Sequence, residues 1–360
     1  MTEAQAAQRV GAQQGERAAE RRGGQGAGPG QPPDGAAAAA ANAAAATSSV
    51  AETARPVPAA VDVLRGYLGA QSTAFLTQLP RLREGKPEAS HRIRVACRRS
   101  RSLLRTYRPL MDGDWADELA ARIDEFTQIV SPERDVEVVR TLLLTALDGL
   151  ADESSGAVRA RTLLDRMLHR EYAVAHEATL AALAGPRFHA LADQLAIAPE
   201  TMPSKPEAQS PAPEALYPLV EHAFGVVERR VAALPDPRKQ NAKELLTDDP
   251  ADEQWHRLRI AAKRCRYAAD VCTPVAGQQA AELADAMAVI TEELGGQQDA
   301  SVASAVLLRA ARTPRIAAPT GFVLGRLLGE SRAGILRSRL AFPTLWRQAA
   351  DPGLRAWLEG

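Results

Sequence analysis

Residues 91–101 read HRIRVACRRSR, and residues 256–266 read HRLRIAAKRCR. The shared pattern, His-Arg-apolar-Arg-apolar-Ala-x-basic-Arg-x-Arg, returns at an offset of 165 residues. Self-similarity on this scale marks a duplicated structural unit. Each copy follows a proline suited to the first turn of a helix, Pro87 and Pro250, the second behind Asp249 as an N-cap. Each precedes a proline expected to stop that helix, Pro109 and Pro274.

A helical wheel separates the two sides of the first copy. At about 100° per residue, His91, Arg94, Arg98, Arg101 and Arg105 fall within an arc of roughly 80°. Ile93, Ala96, Cys97, Leu103, Leu104 and Tyr107 fall opposite, the apolar side that must meet other helices. No carboxylate interrupts the chain between Glu88 and Asp112. The second copy repeats the basic face with His256, Arg259, Lys263 and Arg266 and ends it at Asp270. An ordinary solvated face mixes signs, because like charges at i,i+4 cost about 0.2–0.5 kcal/mol per pair. Two matching cationic stripes, in a chain balanced at 44 Lys+Arg against 44 Asp+Glu, point to a polyanion.

Working outward, apolar residues recur at three- and four-residue spacing from Val57, and no useful length alternates at period 2. The expected class is all-α, consistent with 4% aromatic residues. Helices are expected at about 60–84, 87–108, 114–130, 133–150, 156–184, 187–196, 215–233, 250–273, 276–295, 297–312 and 320–340. The segment 198–214 carries five prolines and reads as a linker between a first half, 56–197, and a second, 215–348. Residues 349–360 read as a C-terminal tail. Residues 1–55 are rich in Ala, Gly, Gln and Pro and poor in large apolar side chains, as expected of a disordered tail. The N-terminus shows no apolar signal-peptide core, and no apolar run approaches the roughly 20 residues of a membrane span. A cytoplasmic protein is the expectation. Three cysteines, Cys97, Cys265 and Cys272, do not make a disulfide framework.

At the two motifs the chain resembles the CHAD family, the conserved histidine α-helical domain. Supporting features are Arg134-Asp135, Gly185-Pro186-Arg187-Phe188 and Gln298-Asp299, so the resemblance runs over about 60–348. Ser100 and Cys265 stand where that family usually has leucine. The resemblance implies two four-helix bundles related by a pseudo-twofold, with basic helix faces lining a central groove that binds inorganic polyphosphate, and association with polyphosphate granules. The polyphosphate-binding set is then His91, Arg94, Arg98, Arg99, Arg101, Arg105, His256, Arg259, Lys263, Arg264 and Arg266. The Glu-x-Glu-x-Lys strand of the triphosphate-tunnel domain that precedes many members does not occur in this sequence.

Other chemistries find little support. His176-Glu177 lacks the second histidine of a metalloprotease helix, and His169 and His176 lack a third ligand. Asp135 and Asp299 each open an expected helix and read as caps or inter-helix partners rather than acids. No nucleophile–base constellation is visible, so neither an enzyme nor a cofactor is expected. Nucleic acid is the rival ligand, disfavoured by the lack of aromatics interleaved with the stripe; an acidic protein partner is another alternative. His91 and His256 either contact phosphate or brace the helix start.

Overall fold

The computed structural model describes residues 57–84, 86–150, 155–239 and 250–359. The expected tail 1–55 and the Asp249 cap lie outside the described residues. The described chain is all-α, with no strand and only isolated backbone bridges. Ten helices follow in order: α1 (Ala60–Leu76), α2 (Leu79–Arg83), α3 (Pro87–Thr106), α4 (Gly113–Gly149), α5 (Ser155–Ala184), α6 (Pro186–Thr201), α7 (Ala212–Ala232), α8 (Pro250–Ala276), α9 (Gln278–Ala311) and α10 (Ala318–Ala349). The motif helices are α3 and α8.

Two pairs of expected helices are single long ones. Residues 114–130 and 133–150 merge into α4, with Pro132 inside it, and 276–295 and 297–312 merge into α9 across Gly295-Gly296. Ser131-Pro132-Glu133 looks locally like a helix start, since proline favours a first turn. Burial on both sides of it, at Phe126, Val130, Val139 and Leu143, holds the helix through the missing N–H. Asp135 and Asp299 therefore sit mid-helix and cap nothing. Pro274 likewise lies within α8, which ends at Gly277, whose φ of +57° suits glycine.

The apolar core does not divide where the sequence divides. The larger cluster draws Leu64, Phe75, Ile93, Leu104, Tyr107 and Ile123 from the first half and Phe224, Leu258, Cys265, Leu283 and Met287 from the second. The smaller one gathers Leu143 of α4, Leu164 of α5, Leu307 of α9 and Leu324 of α10. Each long helix, α4 and α9, thus spans both clusters. Within the larger one, Phe75, Phe126 and Phe188 pack ring against ring at 5.2–6.2 Å.

The proline-rich segment is narrower than its composition implies. Helix α6 continues through Pro199 to Thr201, and α7 begins at Ala212. The residues between are pinned by backbone bonds: Ala60 N donates to Ser210 O (3.0 Å), Ala212 N to Pro58 O (2.9 Å) and Lys205 N to Leu110 O (3.0 Å). The expected C-terminal tail is also part of the core. Trp357 is buried and meets Tyr217 edge-on at 4.7 Å, an apolar contact that holds the last turn.

Candidate functional site

The apolar sides of α3 and α8 face each other. Tyr107, fully buried, donates from its hydroxyl to Ala268 O at 2.9 Å. Cys97, Cys265 and Cys272 are buried in the same core, and burial pushes each thiol up to about 12, leaving them unreactive. With the apolar sides consumed, the basic faces are left to the margin of this contact. There Arg98, Arg101, Arg105, His256, Arg259, Lys263 and Arg264 line one cleft of about 260 Å³, with Ser102, Ile260 and Tyr267. Seven of the eleven expected residues meet there. A larger cavity, about 550 Å³ around Phe126, Ile129 and Phe188, contains none of them.

The stripe is less bare than the local sequence suggests. Asp124 of α4 accepts from both Arg101 and Arg105, the latter at 2.6 Å. Arg94 donates to Asp135 at 2.9 Å and to Ser131 O at 3.0 Å, which fixes it against α4 outside the cleft lining. Arg99 and Arg266 both sit over the Tyr267 ring, 5.9 and 5.8 Å from its centroid, and Arg99 lies 3.7 Å from Asp270. No spacing rule shows these carboxylates, because each reaches the stripe from another helix.

Four cations of the cleft keep no ion pair among the described residues: Arg98, Arg259, Lys263 and Arg264. All four are partly buried. Burial, then the neighbouring Arg98 and Arg259, pulls the Lys263 amine down to about 7. Burial likewise lowers Arg259, with Arg98 adding to it, and lowers Arg264, with Arg105 and Arg101 adding to it. Arg259 also holds a buried Nε with no hydrogen-bond partner. Gly295 permits its position: a Cβ there would come within 3.4 Å of Arg259 Nη2. Partly buried cations that close no ion pair are costly, and Asp299 offsets only part of that cost at Arg259 and Lys263, so this cluster opposes folding on its own.

The repeat mates are not equivalent. Arg94 closes its bond to Asp135, but Arg259 makes no ion pair with the matching Asp299, whose carboxyl burial raises and Arg259 only partly lowers. His256 Nδ1 meets Gln298 Oε1 at 2.8 Å and lines the cleft. The matching residue beside His91 is Arg134, which offers no acceptor. His91 makes no hydrogen bond among the described residues, and burial, Arg134 and Arg98 lower its pKa. The other histidine pair of the sequence resolves separately: His176 bonds Glu133 at 2.9 Å and stacks on Tyr172, and no group of three metal-ligating side chains forms among the described residues.

The model of the CHAD domain matches residues 66–308. The structure is similar to PptA from Streptomyces chartreusis, with 32% identity, a TM-score of 0.69, and coverage of 81% of this chain and 99% of that one. It is similar in fold to the CHAD domain of the plant Ricinus communis, at 21% identity and a TM-score of 0.53, covering 84% and 92% of the two chains. No curated protein matches. No helix among the described residues is long and apolar enough to cross a membrane. With its two His-Arg-x-Arg helices crossing through a shared core and a family match over most of its length, the chain belongs to the CHAD domain family.

Proposed function

We propose that the protein binds inorganic polyphosphate in the cleft between α3 and α8, without catalysing a reaction. One observation carries the reading: Arg98, Arg259, Lys263 and Arg264 line a concavity with no carboxylate in its wall and no ion pair of their own. A polyanion supplies the missing counter-charge. Guanidinium groups suit phosphate oxygens because their planar fork can donate two bonds and stays charged near neutrality. Release of counterions condensed on the polymer adds to the free energy.

Nucleic acid fits less well. Tyr267 is the one Phe, Tyr or Trp side chain in the wall, and Arg99 and Arg266 already occupy its surroundings. Single strands bind by stacking bases on free aromatic rings. The test is competition: long-chain polyphosphate should displace single-stranded DNA at matched phosphate and salt, and equal affinities would favour the nucleic-acid reading. A tagged protein should gather at polyphosphate granules, and removing residues 1–55 should leave that pattern intact.

A further inference from the structure

The basic cleft does not end where the motif helices cross. Three concavities meet at Arg264: the central cleft, a second of about 410 Å³ reaching Arg108 and His222, and a third of about 150 Å³ reaching Arg230 and Arg257. No Asp or Glu lines any of them. Arg230, in the last turn of α7, is exposed and makes no ion pair among the described residues, whereas Arg257 keeps one exposed pair, its Nε donating to Glu253 one turn back at 2.7 Å. From Arg264 to Arg257 the track follows α8 for seven residues, about 10 Å.

The other side of the crossing is built differently from matching residues. Arg99 is the repeat mate of Arg264, and Asp270 is the mate of Arg105. Where Arg264 opens into three concavities, Arg99 lies against Asp270, with its Nε buried and without a hydrogen-bond partner. A carboxylate thus stands where a symmetric groove would need a cation.

We infer, resting on the polyphosphate reading, that the binding track has one arm: the polymer leaves the central cleft past Arg264 and over Arg230 and Arg257, while Asp270 closes the opposite exit. Short chains engage only the centre. Long chains gain the arm, so affinity rises with chain length through contacts on one side alone.

The test uses the full chain with two probes, tripolyphosphate and long-chain polyphosphate. The double variant R230Q/R257Q is compared with R159Q/R170Q, which removes the same charge from exposed positions of α5. All four side chains are exposed, so the fold is not at stake. In R230Q/R257Q the long chain should bind about three- to tenfold more weakly, with a shallower salt dependence, as contacts to its phosphates are lost. Tripolyphosphate should bind within about twofold of wild type, because its few phosphates carry only the contacts of the central cleft. R159Q/R170Q should alter neither. Equal losses from both double variants, or no loss from R230Q/R257Q, would overturn the one-armed track while leaving the central site standing. A wild type that binds neither probe would overturn the polyphosphate reading and the track with it.

Discussion

The hydroxyl of Tyr107 lies 3.5 Å from Sγ of Cys272, its own repeat mate 165 residues later. The same hydroxyl donates to Ala268 O, so one side chain joins the two motif helices. Here the contact is structural: both residues are buried away from the cleft lining. Tyr107→Phe should cost about 0.5–1.5 kcal/mol, the net value of one buried hydrogen bond. Tyr107→Ala should cost about 3–5 kcal/mol through cavity formation. Urea unfolding reads both. Polyphosphate affinity of the Phe variant should match wild type; a large loss would place the hydroxyl in the site rather than the core.

Arg98 and Lys263 are also repeat mates; neither keeps an ion pair among the described residues, and Arg98 lowers the Lys263 amine more than the nearby Asp299 raises it. Replacing both by Gln relieves repulsion, so the free protein should be as stable as wild type or more so. Added polyphosphate should then raise its Tm far less, because mass-action stabilisation follows affinity. Arg94→Gln should behave the opposite way. It removes two hydrogen bonds to α4, one of them to the carboxylate of Asp135, and should cost about 1–3 kcal/mol without ligand. Melting curves with and without polymer separate the two classes.

Lys263 also sets a pH dependence. Its amine falls from an ordinary 10.5 to about 7 in the folded protein. Between these values the unfolded chain binds the proton and the fold does not, so this group makes stability rise with pH across that window; the penalty is complete below about 7. A bound phosphate favours the charged amine, so binding above neutrality should take up a proton. Calorimetry near pH 8.5 in buffers of different ionisation enthalpy should show uptake in wild type and less in Lys263→Met. Equal uptake in the two proteins would remove Lys263 from the ligand's surroundings.

The helical class, the two motif helices and seven residues of the cleft were legible in the sequence, because amphipathic spacing and an uninterrupted basic face are local properties. The long helices α4 and α9 were not. Ser131-Pro132 and Gly295-Gly296 look like boundaries, and only packing on both sides carries the helix through them. The neutralising carboxylates were hidden for a related reason: Asp124 and Asp135 reach the stripe from α4. Arg99 and Arg264 occupy one register of the repeat, and nothing in the repeat pattern itself distinguishes the paired residue from the free one.

Asp270 gives the most discriminating substitution. Burial raises its carboxyl above the ordinary 3.8 more than Arg99 and Arg266 lower it. Ionisation therefore costs the fold stability, a cost that builds as pH rises from 3.8 through the folded value and is complete above it. Asp270→Asn keeps the shape and removes the charge, so the free protein should be as stable as wild type near neutrality, or slightly more so. Arg99 and Arg266 would lose their counter-charge and become available to a ligand. Long-chain polyphosphate should then bind more tightly and with a steeper salt dependence, since more phosphates are neutralised. Fluorescence titration at two salt concentrations, beside urea unfolding of the free protein, reads both quantities. A variant plainly less stable with unchanged affinity would make Asp270 a structural partner of Arg99 and leave the second exit closed for some other reason.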